Sequence, residues 1–233
     1  MQPIASRHNP LFKRVREAIR EHDAEIVIEG PKQVADAIAN GWRPIVTLTR
    51  GETVTDELFD ALSETKTSQG VLGLFERPRA TFEQLLARRD TIVVALDGVQ
   101  DPGNVGTIVR LAAAFDAAGM ALLPGCADPF GPKAIRASVG AILSVPIVEI
   151  TPRELIASGL PLLAADAKGS TDNPPASGAI LVFGSEGSGI SEEVRRAATP
   201  IAIATSERVE SLNVASSAAI LLARSFAARM RLA

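Results

Sequence analysis

The chain has few of the residues that carry metal and redox chemistry. Of its 233 residues one is cysteine, Cys126, and two are histidine, His8 and His22. A single thiol excludes an intrachain disulfide and a cysteine-based metal cluster, and neither histidine has a second ligand at metal-binding spacing, so no metal site is expected. No apolar run is long enough to span a bilayer. The most apolar stretch, Leu111 to Ala127, is interrupted by Asp116, Gly119 and Pro124, so no membrane partner is expected. The opening, Met1 to Val15, is polar and basic and lacks the apolar segment of a signal peptide, which makes a reduced cytoplasmic location the expectation. An excess of positive charge is missing too. Lys and Arg number 24 against 27 Asp and Glu, so overall charge does not hold this chain on nucleic acid. The dinucleotide fingerprint G-x-G-x-x-G and the Gly-Lys-Ser/Thr of a phosphate loop are both missing, which removes nicotinamide chemistry and nucleotide hydrolysis. There is no internal repeat and no low-complexity tract.

What is present suffices for a sizeable core: 46% of the residues are hydrophobic, enough for one large domain or two modest ones. The first part reads as a small α/β unit. Leu11, Val15, Ala18 and Ile19 recur at helical spacing after Asn9-Pro10, and Glu25 to Glu29 alternates as a strand does. Pro31 to Asn40 reads as a helix stopped by Gly41, Pro44 to Thr49 as a strand, Thr55 to Ser63 as a helix and Val71 to Phe75 as a strand. A basic cluster opens this part, with Arg7, Lys13, Arg14, Arg16 and Arg20 against Glu17 alone. It suits RNA contact or an ordinary solvated helix face. The charged segment from Glu76 to Asp90 reads as a linker with some helix. The expected division is residues 1–80, a linker at 81–90, and a second domain at 91–233.

The second part alternates strands and helices. Thr91 to Leu96 is a continuous apolar run, as in a strand buried on both faces. Asn104 to Ala118 reads as a helix with Val105, Ile108, Val109, Ala112 and Phe115 on one face. Met120–Leu123, Ile142–Val148, Leu160–Ala165, Ile180–Phe183 and Ile201–Ala204 read as further strands. Such alternation predicts a mostly parallel sheet covered by helices on both sides. The last helix, from Ser211 to about Arg229, is poor in charge and is expected to be buried in the core or in a subunit interface.

In a parallel sheet the ligand site lies beyond the carboxyl ends of the strands. Three loops fall there, all rich in glycine or small polar residues. The first runs from Asp97 to Gly106, where Asn104 could cap the following helix and Arg110 falls outside its apolar stripe. The second is Gly184-Ser185-Glu186-Gly187-Ser188-Gly189. The third runs from Ile203 to Val214, with Ser211 and Asn213 as good capping residues. Each loop alone is explained by turns and caps.

Together, and in order, they resemble the three motifs of the SpoU/TrmH methyltransferases. Asp97-Gly98-Val99-Gln100-Asp101-Pro102-Gly103-Asn104-Val105-Gly106 with Arg110 is similar to the first, Phe183 to Gly189 to the second, and Ser211-Leu212-Asn213-Val214 to the core of the third. Asp128 to Lys133 and Arg136 to Ala141 resemble another stretch typical of these enzymes. Ser6 to Pro10 with Lys13, Ile28-Glu29-Gly30 and Thr65 to Leu72 resemble, more loosely, the substrate-binding domain many members carry.

The resemblance implies an α/β catalytic domain with a deep trefoil knot near its carboxyl end, a homodimer formed through that domain, and a small amino-terminal domain resembling a ribosomal-protein-like RNA-binding fold. It implies S-adenosyl-L-methionine as cofactor, bound by Gly184, Ser185, Gly187, Ile203, Leu212 and Asn213, largely through main-chain groups. It places Asn104, Arg110, Glu186, Ser211 and Asn213 in the catalytic pocket, and RNA on Arg7, Lys13, Arg14 and Arg136. In two places the third motif departs from the family pattern: Ala204-Thr205 replaces Pro-Met, and Glu207 stands where a Gly is usual.

The activity implied is methyl transfer to a ribose 2′-hydroxyl of RNA. Ribosomal RNA is preferred, because the opening segment resembles ribosomal-RNA members. Transfer RNA, methylation of a base nitrogen, and an RNA-binding protein without catalysis are the alternatives. Arg110 has two readings: a group that gives up a proton and acts as base, or a bidentate clamp on an RNA phosphate that positions the ribose. The clamp is physically easier, since a guanidinium holds its proton far above neutrality.

Overall fold

A computed structural model describes residues 2–63, 67–206 and 208–232. Glu207, and Thr65 and Lys66 of the first domain's turn, lie outside the described residues. The chain divides into two compact units, Met1–Pro78 and Arg79–Ala233.

The first unit is built on a three-stranded antiparallel sheet in the order β1-β3-β2, with β1 at Glu25–Glu29, β2 at Pro44–Thr49 and β3 at Val71–Glu76. Helix α1 (Pro10–Glu21) starts where Asn9 accepts from the Leu11 and Phe12 amides and Pro10 fills the first turn, whose amide needs no partner. Its buried face, Phe12, Val15 and Ala18, packs with Leu48, Leu72 and Leu74 and with Leu58 and Phe59 of α3 (Asp56–Asp60). Helix α2 (Pro31–Ala39) lies against β3 at Gly73, where a Cβ would stand 3.1 Å from Val34 Cγ2 and closer still to the Phe75 ring. Trp42 meets Phe75 edge-on, with the ring centroids 6.0 Å apart.

The second unit is an all-parallel six-stranded sheet in the order β6-β5-β4-β8-β7-β9. The strands are β4 (Ile92–Asp97), β5 (Gly119–Leu122), β6 (Ile147–Glu149), β7 (Leu162–Ser170), β8 (Ala179–Gly184) and β9 (Thr199–Ile201). Every residue of β4 is buried, as are the first five of β8, which suits central strands covered on both faces. Alternate side chains split between two layers. Val93, Ala95, Ile180 and Val182 pack with α4 (Phe82–Ala87), α7 (Pro152–Ile156) and α8 (Glu192–Ala197). Helix α5 (Pro102–Ala114) contacts both α6 (Pro132–Ser138) and α9 (Val214–Leu232), and α9 also contacts β8. The α5–α6 contact needs Gly106, where a Cβ would come within 2.2 Å of the Ala134 carbonyl oxygen.

The order of the strands locates a ligand site. From β4 the chain steps outward through β5 and β6, then returns to the other side, so that β8 lies between β4 and β7. A crevice opens at such a reversal, beyond the carboxyl ends of β4 and β8.

Several expectations are corrected. The segment 81–90 is not a linker: α4 fills most of it, opened by a reciprocal Thr81–Gln84 capping box, and Phe82 and Leu85 are buried in the second unit's core. The strand expected at Ile142–Val148 is a 3₁₀ turn at Ala141–Leu143 followed by β6, because Pro146 interrupts the run. β9 ends at Ile201 rather than beginning there. Helix α5 begins two residues before Asn104 and is capped by Asp101, whose carboxylate accepts from the Gly103 amide at 2.8 Å. The last helix begins at Val214 rather than Ser211.

Candidate active site

The first loop is fixed from both ends. Asp97, the last residue of β4, is 7% exposed and accepts from the Ser191 amide at 2.7 Å, at the start of α8. A buried carboxylate needs such a donor. Asp101 caps α5 and also receives Lys133 Nζ at 2.7 Å, so its carboxyl is held below the usual carboxylate range, first by Lys133 and then by the Gly103 amide.

The second loop is a tight hairpin. The Ser185 and Gly189 backbones exchange hydrogen bonds at 3.1 and 3.0 Å, and Ser185 Oγ lies 2.8 Å from Ser188 Oγ. At Gly184 a Cβ would stand 2.3 Å from the Gly189 carbonyl carbon and 2.4 Å from the Ile190 nitrogen. Only glycine lets the strand end pass so close to the returning chain.

The third loop delivers Asn213 to the start of α9, where its Oδ1 accepts from the Ala215 and Ser216 amides at 2.9 and 3.3 Å. With its amide oxygen capping the helix, its Nδ2 donates to Asn104 Oδ1 at 3.2 Å. Asn104 Nδ2 in turn donates to Glu186 Oε1. One side chain from each loop thus forms a continuous relay, Asn213 to Asn104 to Glu186. Because Asp101 takes the cap of α5, the Asn104 side chain is left for this relay.

Beside the relay, between the second and third loops, lies a cleft of about 260 Å³. Phe183, Ile203, Leu212 and Leu221 give it apolar walls, and Gly184, Ser185, Thr205 and Ser211 give it backbone and hydroxyl groups. Asp166, Glu186 and Glu210 add carboxylates, and Arg195 adds a guanidinium.

The structure gathers most of the expected residues but not all in one role. Gly184, Ser185, Glu186, Ile203, Ser211 and Leu212 line the cleft. Asn104 stands one hydrogen bond from it, through Glu186, and Asn213 two, through Asn104 and Glu186. Gly187 lies at the exposed tip of the hairpin, with nothing within 4 Å of the place of a Cβ. Arg110 is exposed and does not line the cleft. Six residues along α5 carry it about 9 Å from Asn104 and about 120° around the axis. Asp97, Asp166, Arg195 and Glu210 were missed. Asp97 stands in the first motif and Glu210 in the third loop, but only the fold shows the amide partner of the one and the cleft beside the other; Asp166 and Arg195 have no pattern in sequence that marks them.

Of the four basic residues expected on RNA, Arg7 pairs with Glu57 at 3.5 Å and Arg14 is bound to Glu25, which pushes its guanidinium further up. Lys13 is exposed and forms no ion pair among the described residues, while Arg136, also exposed, is engaged within the fold. Among the described residues no group of three His, Cys, Asp or Glu could hold a metal, and no helix is long and apolar enough to cross a membrane.

The lining of the cleft suits a cofactor such as S-adenosylmethionine: apolar walls would accept a flat base, backbone and hydroxyl groups a ribose, and carboxylates a sulfonium and an ammonium.

Comparisons with known proteins agree. The chain superposes on the AdoMet-bound rRNA methyltransferase from Sinorhizobium meliloti with a TM-score of 0.87 and 28% identity, over 100% of this chain and 98% of the other. It is 33% identical over 163 residues to the mouse mitochondrial rRNA methyltransferase 3, covering 61% of this chain but only 39% of that protein. It is 29% identical over 177 residues to the 23S rRNA (guanosine(2553)-2′-O)-methyltransferase RlmP of Bacillus subtilis, covering 72% of this chain and 69% of that one. Residues 91–223 match the model of the SpoU rRNA methylase family, and with the three loops joined at the sheet's switch point the chain belongs to that family.

Proposed function

We propose that this protein transfers a methyl group from S-adenosyl-L-methionine to a ribose 2′-hydroxyl of ribosomal RNA. The observation that carries the reading is the Asn213–Asn104–Glu186 relay beside the cleft, at the carboxyl ends of β4 and β8. The Bacillus relative's 2′-O activity on 23S rRNA supports the acceptor, and the cofactor in the Sinorhizobium structure supports the donor.

When bound, the cofactor supplies a methyl group already activated on a sulfonium, so the protein's work is alignment and handling of a proton. Gly184, Ser185, Ile203 and Leu212 would hold the cofactor through the cleft wall, with Gly187 and Asn213 shaping the loops that carry them. Ser211 and the relay receive the ribose hydroxyl. Glu186, kept in place by Asn104, would take the proton of the ribose hydroxyl. Alignment of this kind contributes about 7–11 kcal/mol to such a displacement.

Arg110 acts as a phosphate clamp rather than a base. It stands outside its own chain's cleft, and its side chain forms no hydrogen bond or ion pair among the described residues, which leaves the fork available to a phosphate. The homodimer through the second unit follows the same logic: on α9, Ile220, Ala223 and Phe226 are only half-buried, a small apolar face suited to a second copy. The trefoil knot would run through the second and third loops and α9. The first unit would select the RNA, in the cytoplasm.

The test is to incubate the protein with ribosomal RNA and S-adenosylmethionine and then cleave the product with alkali. A methylated ribose blocks cleavage at its own linkage. Protection at a defined nucleotide is expected, lost in Arg110→Ala and largely lost in Arg110→Lys, which keeps the charge without the fork. A methylated base with every linkage cleavable would overturn the ribose assignment, and near-normal Arg110→Lys turnover would overturn the clamp.

A further inference from the structure

Among the described residues lining the cleft, Arg195 is the one cation, beside three acids in the same lining, Asp166, Glu186 and Glu210. It lies outside the three loop motifs, on α8. Its Nη2 donates to the Ile190 carbonyl at 2.8 Å and lies beside Gly189, 3.5 Å from where a Cβ would be. Its Nη1 is 3.7 Å from Glu192 Oε2, but Glu192 is also held by Arg196 Nε at 2.9 Å. A guanidinium has five N–H donors, so among the described residues most of the fork has no partner.

S-adenosylmethionine carries a sulfonium and an ammonium, which suit the acids, and a carboxylate, which the same acids repel. We infer that Arg195 receives the carboxylate of the cofactor's amino-acid end and so determines how the methionine arm lies in the cleft. The inference rests on the proposed cofactor and adds a ligand-specific residue to it. The Ile190 carbonyl holds the guanidinium against the hairpin in advance, so little side-chain freedom is lost on binding.

Calorimetry with two ligands tests it: S-adenosylmethionine and its decarboxylated analogue, which keeps the sulfonium and the ammonium. The wild-type chain is expected to bind the first about tenfold more tightly, the usual scale of a hydrogen bond to a charged group. Arg195→Ala should bind S-adenosylmethionine only as well as the analogue, while its affinity for the analogue stays within about a factor of two. Arg195→Lys should recover part of the difference, and Arg196→Ala should leave it intact. Equal wild-type affinity for the two ligands, or equal weakening of both in Arg195→Ala, would overturn the assignment of Arg195. Failure of the wild type to bind either ligand would instead overturn the cofactor reading, and this inference with it.

Discussion

Asn213 uses both ends of its amide. Its oxygen caps α9 through the Ala215 and Ser216 amides, and its nitrogen holds Asn104. Two substitutions separate the tasks. Asn213→Asp keeps an oxygen at the cap and loses the donor, and its charge at a helix start is favourable. Asn213→Ala loses both, at a cost of about 0.5–2 kcal/mol for the cap. Thermal unfolding should therefore drop by several degrees for the alanine variant and hold for the aspartate variant, at about 2–4 °C per kcal/mol in a chain of this size. Methyl transfer should fall in both. An active aspartate variant would mean that the link to Asn104 has no part in catalysis. Gly184 offers a steric test at the same scale. A methyl group there meets backbone atoms at 2.3–2.5 Å, which no side-chain rotation relieves. Gly184→Ala should lower the urea midpoint by the equivalent of about 1–3 kcal/mol and weaken cofactor binding with it. An unchanged midpoint would show that the hairpin can shift away.

Helix α5 shows where sequence reading succeeds and where it stops. Its existence and apolar face are legible because Val105, Ile108, Val109 and Ala112 repeat at helical spacing, and all four are buried. Its start is not, because Asp101 and Asn104 are both good caps. The choice falls to Asp101 through Pro102, which suits the first turn, and Lys133, which arrives from α6. The same limit applies to Ser211 and Asn213 at α9. The three loops are legible as a set, whereas the link between them through Asn104 exists only once β8 has inserted beside β4. The cap of α5 has a pH signature. The Asp101 carboxyl lies below its ordinary range in the folded chain, so its stabilising effect is present above the ordinary carboxylate pKa. That effect is lost as pH falls through the depressed value. In an NMR titration of the side-chain carboxyl, Lys133→Ala should move the Asp101 midpoint back up, because Lys133 is the larger cause. A midpoint unmoved by that change would leave the Gly103 amide as the sole cause.

At the scale of the molecule, the acidic net charge is compatible with RNA binding only through a localised face. Helix α1 provides one. Phe12, Val15 and Ala18 point into the core, and Lys13 and Arg16 are exposed, their side chains without a hydrogen bond or ion pair among the described residues, while Arg7 and Arg14 are already paired with Glu57 and Glu25. A cation held by a carboxylate must give up that partner before it can neutralise a phosphate, so the two classes should differ in counterion release. Affinity of the full chain for ribosomal RNA should fall with salt, and replacing Lys13 and Arg16 by alanine should reduce the log–log slope by about 1–2, near one per lost phosphate contact. Arg14→Ala should change the slope by less than either single substitution. A slope that ignores Lys13 and Arg16 would move the RNA-binding face off α1, leaving Arg110 on the second unit as the first cation to examine in its place.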